Sequence, residues 1–325
     1  MAGAAGGLLA SQVTAAGGFG FMSPTYGTIS EFASQFDIAR NTLKTPTGPL
    51  SIGVGILGFM LDKPGNNTVR EMLEYALAQQ VRAVWLSYGE DLGKWVDFVR
   101  SYDAKRKHKT LIFIGVSTAS MALQAMNQFK ADVIVAQSGD GGGHGLSTAQ
   151  STLTLVTSIL NTLPPDGAPP VVAAGGLVRA NQVAAMLVLG AAGTVHGTLF
   201  LATPASLYKS AAKEAIIAAD GASTVRSFGF DLLRGTTGWP RGVDGRGLAI
   251  SSIEPLDGME QDTTPSGVDL DALRERMSER KEQVIWAGVG VGAIKELREA
   301  ADIVHELHEG ALAELRRAGD IIVSD

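Results

Sequence analysis

Residues 132–145 read DVIVAQSGDGGGHG, an apolar run that ends in a glycine-rich turn and a histidine. The first half is nearly continuous in apolar character, which is typical of a parallel strand buried on both faces. Glycine has no Cβ, so the turn that follows can bring its backbone against another segment or a flat ligand. The stretch therefore predicts a buried strand whose C-terminal loop borders a binding site.

Six other apolar runs alternate with segments of helical periodicity. The runs cover residues 17–22, 50–57, 82–89, 110–116, 170–176 and 193–201. The helical segments cover residues 28–42, 66–80, 91–104, 118–129, 148–161 and 179–190. Alternation of this length indicates either a doubly wound sheet or a TIM (β/α)8 barrel, both α/β folds. Glycine-rich loops at the ends of the strands favour the barrel.

A barrel of eight strands needs one strand more than these seven runs supply. The stretch GGLLASQVTAAG at residues 6–17 reads as a helix and precedes the first visible strand. We therefore expect the missing strand upstream of residue 3. On this interpretation the first strand is missing or truncated at the N-terminus, and the numbering begins inside the first strand–loop junction.

The chain divides into three predicted segments. Residues 1–204 form the barrel, residues 205–285 an additional, mostly helical lid, and residues 286–325 a glycine loop and a C-terminal helix closing onto the barrel. Within the predicted lid, the stretch RGTTGWPRGVDGRG at residues 234–247 shows neither helical nor strand periodicity, so it is predicted to be irregular.

Composition restricts the class of protein. The chain has 325 residues, of which 45% are hydrophobic, and its net charge of −6 argues against nucleic acid as a partner. The absence of cysteine excludes disulfides, thiolate metal ligands and a cysteine nucleophile. The glycine-rich start lacks a basic region, so we expect no signal peptide and no membrane segment, but a soluble, cytoplasmic protein.

Two loops at the predicted mouth of the barrel suit a phosphate group. In TIM barrels phosphate favours the loops after strands seven and eight, which here read AAGGLVRANQ (173–182) and HGTLFLATPAS (196–206). Gly175 and Gly176 offer N–H groups just before a helix, and Gly197 and Thr198 add an N–H and a hydroxyl. Either loop alone also fits an ordinary strand–helix turn.

The five histidines have different expected roles. His144 is delivered into the cavity by the glycine turn as a titratable group, near Gln137, which can hydrogen-bond a polar cofactor edge. His108 lies in a basic run and is predicted to be solvated. His196 is predicted to be a core residue whose ring nitrogens are hydrogen-bonded. His305 and His308 are predicted to lie on the surface rather than to bind a metal.

Several motifs together resemble the nitronate monooxygenase family, formerly called 2-nitropropane dioxygenases, which are FMN-dependent barrel enzymes. VAQSGDGGGHG is similar to the family's VQGxDAGGHG, AAGGL to its phosphate-binding strand seven, GTLFLATPAS to its GTRFLATPES and WAGVGVG to its AGQGVG. The opening MAGAAGGLLASQVTAAGGFGF resembles the family's first loop and second strand. RGTTGWPRGVDGRG is particularly similar to fungal members.

The resemblance implies a set of site residues. His144 would be the catalytic residue, on the substrate side of the flavin. The implied cofactor-binding residues are Met1, Ala2, Gln137, Gly142, Gly143, Gly175, Gly176, Gly197, Thr198, Gly288 and Gly290. The chain departs from the family pattern where Leu199 replaces an arginine and Val289 replaces a glutamine, and its residues 139–142 are unusually rich in glycine.

The resemblance implies FMN-dependent oxidation of alkyl nitronates by O2 to a carbonyl compound and nitrite, with nitroalkanes as a further substrate class. Its partners would be a small-molecule substrate and O2, with no nicotinamide, and the oligomeric state stays open. Two alternatives remain: an NAD(P)H-dependent flavin reductase of quinones or enoyl thioesters on the same barrel, and an FMN-binding protein without catalysis.

Overall fold

The computed structural model describes residues 1, 3–24, 27–65, 67–256, 258–259, 261 and 267–320. Seven of its strands form a parallel sheet and three form a smaller antiparallel sheet. The strands are β1 (Phe21–Met22), β2 (Leu50–Leu57), β3 (Val81–Ser87), β4 (Leu111–Val116), β5 (Val133–Gln137), β6 (Gly143–Leu146), β7 (Val171–Ala174), β8 (Gly193–Val195), β9 (Thr224–Ser227) and β10 (Val243–Leu248).

Helices connect successive strands of the parallel sheet and continue beyond it. They are α1 (Gly7–Ala15), α2 (Ile29–Leu43), α3 (Gly58–Asp62), α4 (Asn67–Ala78), α5 (Gly93–Asp103), α6 (Ala119–Asn127), α7 (Thr152–Thr162), α8 (Ala180–Val188), α9 (Thr198–Leu201), α10 (Ser210–Ala218), α11 (Gly229–Arg234), α12 (Leu270–Glu279) and α13 (Ala300–Gly319). No helix among the described residues is long and apolar enough to cross a membrane.

The parallel sheet has the order β1-β2-β3-β4-β5-β7-β8, so consecutive parallel strands are neighbours. Its centre is a dry layer in which Ile52, Val84, Ile112 and Ile134 have no exposed surface. Phe21 on β1 and Val195 on β8, at opposite edges of the sheet, line the same cavity. The sheet therefore curls into an incomplete barrel, which confirms the seven predicted strands.

One predicted strand is wrong in its second half. The run 193–201 leaves the sheet at Val195, and its last four residues form helix α9. Gly197 already has right-handed helical dihedrals, φ −103° and ψ −71°. The side chains of Leu199, Phe200 and Leu201 are all buried, so a continuous apolar run satisfies the burial of a short helix as well as that of a strand. The first run, 17–22, is also shortened to two paired residues.

The antiparallel sheet was not predicted. It has the order β6-β10-β9, and its register places His144 opposite Gly245 and Arg226 opposite Arg246. Two corrections follow. The stretch 234–247, expected to be irregular, contains most of β10, and the glycine turn continues into strand β6 instead of staying a loop. Segment 205–285 therefore combines helices with two strands, of which β10 pairs with β6.

Candidate functional site

The glycine turn after β5 packs backbone against backbone on the late glycine loop. A Cβ placed on Gly142 would lie 2.5 Å from the carbonyl carbon of Ala287 and 2.5 Å from the nitrogen of Gly288. A Cβ on Gly288 would lie 2.7 Å from the carbonyl oxygen of Asp140. Because real Cβ atoms do not approach backbone so closely, both positions require glycine.

The loop after β7 joins the same cluster. A Cβ on Gly290 would lie 2.6 Å from the carbonyl oxygen of Gly176, and one on Gly175 would lie 2.1 Å from Ser138 Oγ. Gly175 and Gly176 also have left-handed φ values of +128° and +65°. Three loops that are distant in the sequence therefore meet through their glycines at the C-terminal end of the sheet.

A buried polar network holds this junction in place. Thr152 Oγ1 donates to the carbonyl oxygen of Gly175 at 2.8 Å and lies 2.7 Å from Ser138 Oγ. The carboxylate of Asp140 accepts from the backbone N–H of Thr152 at 2.7 Å. From strand β10, Arg246 Nε donates to the carbonyl oxygen of Gly139 at 3.1 Å. These bonds fix the backbone around the glycines.

The predicted phosphate loops lie side by side and leave donors free. Among the described residues, no protein acceptor is found for the backbone N–H groups of Gly175, Gly176, Gly197 or Thr198. The hydroxyl oxygen of Thr198 accepts from the N–H of Gly288 at 2.9 Å, and its own hydrogen is still available. Left-handed glycines with unpaired N–H groups, beside the start of α8, form a cradle that fits a phosphate group.

His144 lies in the cavity wall and is only 11% exposed. Its Nε2 is 2.9 Å from both carboxylate oxygens of Asp231. Its ring stacks on the indole of Trp239, with centroids 3.6 Å apart and planes 11° from parallel, and the ring of Trp286 is 4.8 Å away. Sequence reasoning found His144 and missed these three neighbours, because all of them come from distant parts of the chain.

The main chain of His144 is held as firmly as its ring. Its carbonyl oxygen accepts from Tyr88 Oη at 2.6 Å and from Gln137 Nε2 at 2.8 Å. Burial raises the pKa of the Tyr88 phenol, so the hydroxyl is neutral and donates. Tyr88 has a left-handed φ of +59°, a conformation that a bulky side chain rarely adopts. One of the two N–H donors of the Gln137 side-chain amide is therefore already hydrogen-bonded to the protein.

The other four histidines lie in different surroundings. His196 lies in the cavity wall, between the hydroxyl of Thr194 at 2.9 Å and the carbonyl oxygen of Leu177 at 3.0 Å, which confirms a satisfied residue. Burial lowers its pKa. The solvated role expected of His108 is wrong: it is half-buried, and its Nε2 bonds the carbonyl oxygen of Val81 at 2.8 Å. The 305/308 pair is exposed, as predicted.

The other predicted cofactor residues are placed as follows. Met1 lines the cavity, and its sulfur would lie 3.5 Å from a Cβ on Gly197. Gly143 also lines the cavity, with a left-handed φ of +77°. Ala2 lies outside the described residues. Among the described residues, the predicted set therefore converges on one space, apart from Gly288, which does not line it.

That space is a cavity of about 1290 Å³, bounded by the glycine loops, His144, the aromatic side chains and the interior of the sheet. Typical pockets for small ligands are about 300–1,000 Å³. The volume is therefore sufficient for a large planar cofactor together with a small substrate. Apolar side chains line this cavity along the sheet, and the glycine loops and His144 line it at the C-terminal end of the strands.

Comparison with known proteins identifies the family. The model of the nitronate monooxygenase family matches residues 1–310. The chain belongs to the nitronate monooxygenase family. A nitronate monooxygenase of Metarhizium robertsii, npaC, is 32% identical over 93% of this chain and 87% of its own length. A nitronate monooxygenase of Neurospora crassa is 32% identical over 94% of this chain and 86% of its own length.

The fold agrees with a solved structure. A nitroalkane oxidase from Streptomyces ansochromogenes superposes with a TM-score of 0.75 at 23% identity, covering 97% of this chain and 93% of that one. This likeness confirms the prediction of a TIM-barrel-like α/β fold. Since nitronate monooxygenases are flavin-dependent oxidoreductases, this family member is an enzyme of that class.

Proposed function

We propose that this enzyme oxidises alkyl nitronates, and neutral nitroalkanes after removal of a proton, using FMN and O2 to give a carbonyl compound and nitrite. The observation that carries the proposal is His144, a titratable side chain held in the wall of a cofactor-sized cavity beside the phosphate cradle. When bound, FMN supplies the electron transfer from the nitronate to O2.

The chain's own groups divide into two sets. The N–H groups of Gly175, Gly176 and Gly197, with the hydroxyl of Thr198, would hold the phosphate of FMN, and the apolar interior of the sheet would exclude water from its ring. On the substrate side, His144 would remove the α-proton of a neutral nitroalkane. Towards a nitronate, which is already an anion, the same side chain would donate a hydrogen bond in its doubly protonated, imidazolium form.

Steady-state turnover tests this proposal. Protein reconstituted with FMN is supplied with ethylnitronate or propionate 3-nitronate in air, with and without NADH, while O2 uptake and nitrite are recorded. We expect both to proceed at the same rate with and without NADH. A flavin-replete protein that consumes O2 only when NADH is present would contradict the proposal and favour the flavin reductase.

A further inference from the structure

The carboxylate of Asp231 is in an unusual position for a charged group. It lies on α11, has no exposed surface and is held by His144 Nε2 and by Thr236 Oγ1, which donates to Oδ1 at 2.7 Å. Among the described residues it makes no ion pair with lysine or arginine. A buried carboxylate is costly unless its oxygens accept strong hydrogen bonds, so the arrangement requires a proton on His144 Nε2.

This requirement determines the state of the imidazole. With the proton on Nε2, the neutral ring of His144 carries its lone pair on Nδ1. No hydrogen bond to Nδ1 occurs within the described part of the chain. The stacked indole of Trp239 prevents the ring from turning. Asp231 and Trp239 thus define which nitrogen is basic and hold it still.

We propose that Asp231 is the positioning residue that makes His144 Nδ1 the general base for neutral nitroalkanes, an inference that rests on the proposed function. In this step the α C–H bond of the substrate breaks and an N–H bond forms at Nδ1. The electron pair of the broken bond stays on the substrate, which becomes the nitronate. His144 then carries a positive charge beside the buried carboxylate, which stabilises it.

His144 and Asp231 lie on opposite sides of the boundary between the barrel and the segment 205–285. His144 belongs to strand β6, which follows the glycine turn, whereas Asp231 and Trp239 both come from that later segment. Pairing of β6 with β10 brings the two parts together. His144 can therefore act as the base only when the segment 205–285 packs correctly against the barrel. The segment thus does more than cover the cavity.

Kinetics of Asp231→Asn test the role. With FMN content equal to wild type, kcat for nitroethane should fall about 10²-fold with little change in KM, since general-base assistance is typically worth about 10²–10⁴. The loss with ethylnitronate should be less than about tenfold. The deuterium isotope effect with 1,1-dideuterated nitroethane should increase. Equal losses on both substrates, or an unchanged isotope effect, would overturn the proposal.

Two further variants sharpen the comparison. Thr236→Val removes the other hydrogen bond to the same carboxylate but keeps its charge, so it should cost much less on nitroethane than Asp231→Asn. In a His144→Asn background, Asp231→Asn should add almost no further loss on nitroethane, because the base it positions is already gone. Independent, multiplicative losses would contradict the proposal.

A measurement on the unaltered protein covers the case in which Asp231→Asn does not fold. In protein labelled with 15N-histidine, the signals of His144 are assigned by their loss in His144→Asn. We expect the tautomer with the proton on Nε2. A proton on Nδ1 in the neutral ring would overturn the proposal. Wild-type inactivity on ethylnitronate would instead contradict the proposed function, whatever tautomer is found.

Discussion

Gly142 and Gly288 pack backbone against backbone, and a Cβ on Gly142 would lie 2.5 Å from the nitrogen of Gly288. The contact joins the turn after β5 to a loop almost 150 residues later in the chain. It brings the two glycine-rich motifs together at one edge of the cavity. A change at this contact should therefore affect stability and cofactor binding together.

The first prediction concerns this contact. Gly142→Ala should lower the free energy of unfolding by about 1–3 kcal/mol, because the methyl group forces the two loops apart. FMN occupancy should fall as well. Gly221→Ala is the matched control, since a Cβ there meets nothing within 4 Å. Thermal unfolding and flavin absorbance measure both effects, and a Gly142→Ala protein as stable and as yellow as the control would contradict the packing argument.

The second prediction concerns the catalytic side chain. His144→Asn should keep FMN and lose about 10²–10⁴-fold in turnover of a neutral nitroalkane. The bonds from Tyr88 and Gln137 go to the backbone carbonyl of residue 144 and do not depend on its side chain, so the turn should survive. The loss with a preformed nitronate should be smaller. Full activity in a flavin-replete variant would remove His144 from the mechanism.

The third prediction is a pH dependence of stability. Burial lowers the pKa of His196 below its ordinary value of 6.5, so the folded protein resists protonation there. As the pH falls through 6.5, the unfolded chain takes up a proton before the folded one does, and stability decreases until the folded pKa is reached. His196→Gln does not titrate, so its melting temperature should fall less between pH 7.5 and 5.5. Parallel curves would refute the assignment.

The fourth prediction concerns the cofactor. Among the described residues, the unpaired N–H groups of Gly175, Gly176 and Gly197 form a cradle that suits one phosphate group. Protein reconstituted with a mixture of FMN and FAD should therefore retain FMN. Mass spectrometry of the cofactor released on denaturation decides this. Recovery of FAD, or of no flavin, would show that the cradle does not serve this purpose.

Most of the barrel was predictable because its signals are local. Strand β5 lies in the apolar first half of the stretch 132–145, as predicted. Helix α2 lies within one residue of its predicted bounds, and its start is fixed by a capping box between Thr28 and Glu31. The glycine positions were predictable for the same reason: left-handed turns and close contacts leave a direct mark on the sequence at Gly175 and Gly176.

The second half of the site was not predictable, because it depends on contacts between distant segments. His144 and Asp231 are 87 residues apart, and nothing near either residue indicates the other. Strand β10 lies in a glycine-rich stretch with little alternation of apolar and polar residues. It forms a strand because it pairs with β6 and β9. Trp239 reaches the histidine ring from the segment that contains β10, whereas Tyr88 reaches its carbonyl oxygen from the end of β3.

The central claim, oxidation of a nitronate through a bound flavin, is tested most directly by anaerobic mixing. FMN-reconstituted protein is mixed with ethylnitronate without O2 while the flavin absorbance is recorded, and a parallel sample receives NADH. We predict that the nitronate bleaches the flavin, that admitting O2 restores the absorbance with release of nitrite, and that NADH has no effect. Bleaching by NADH but not by the nitronate, or by neither, would contradict the account.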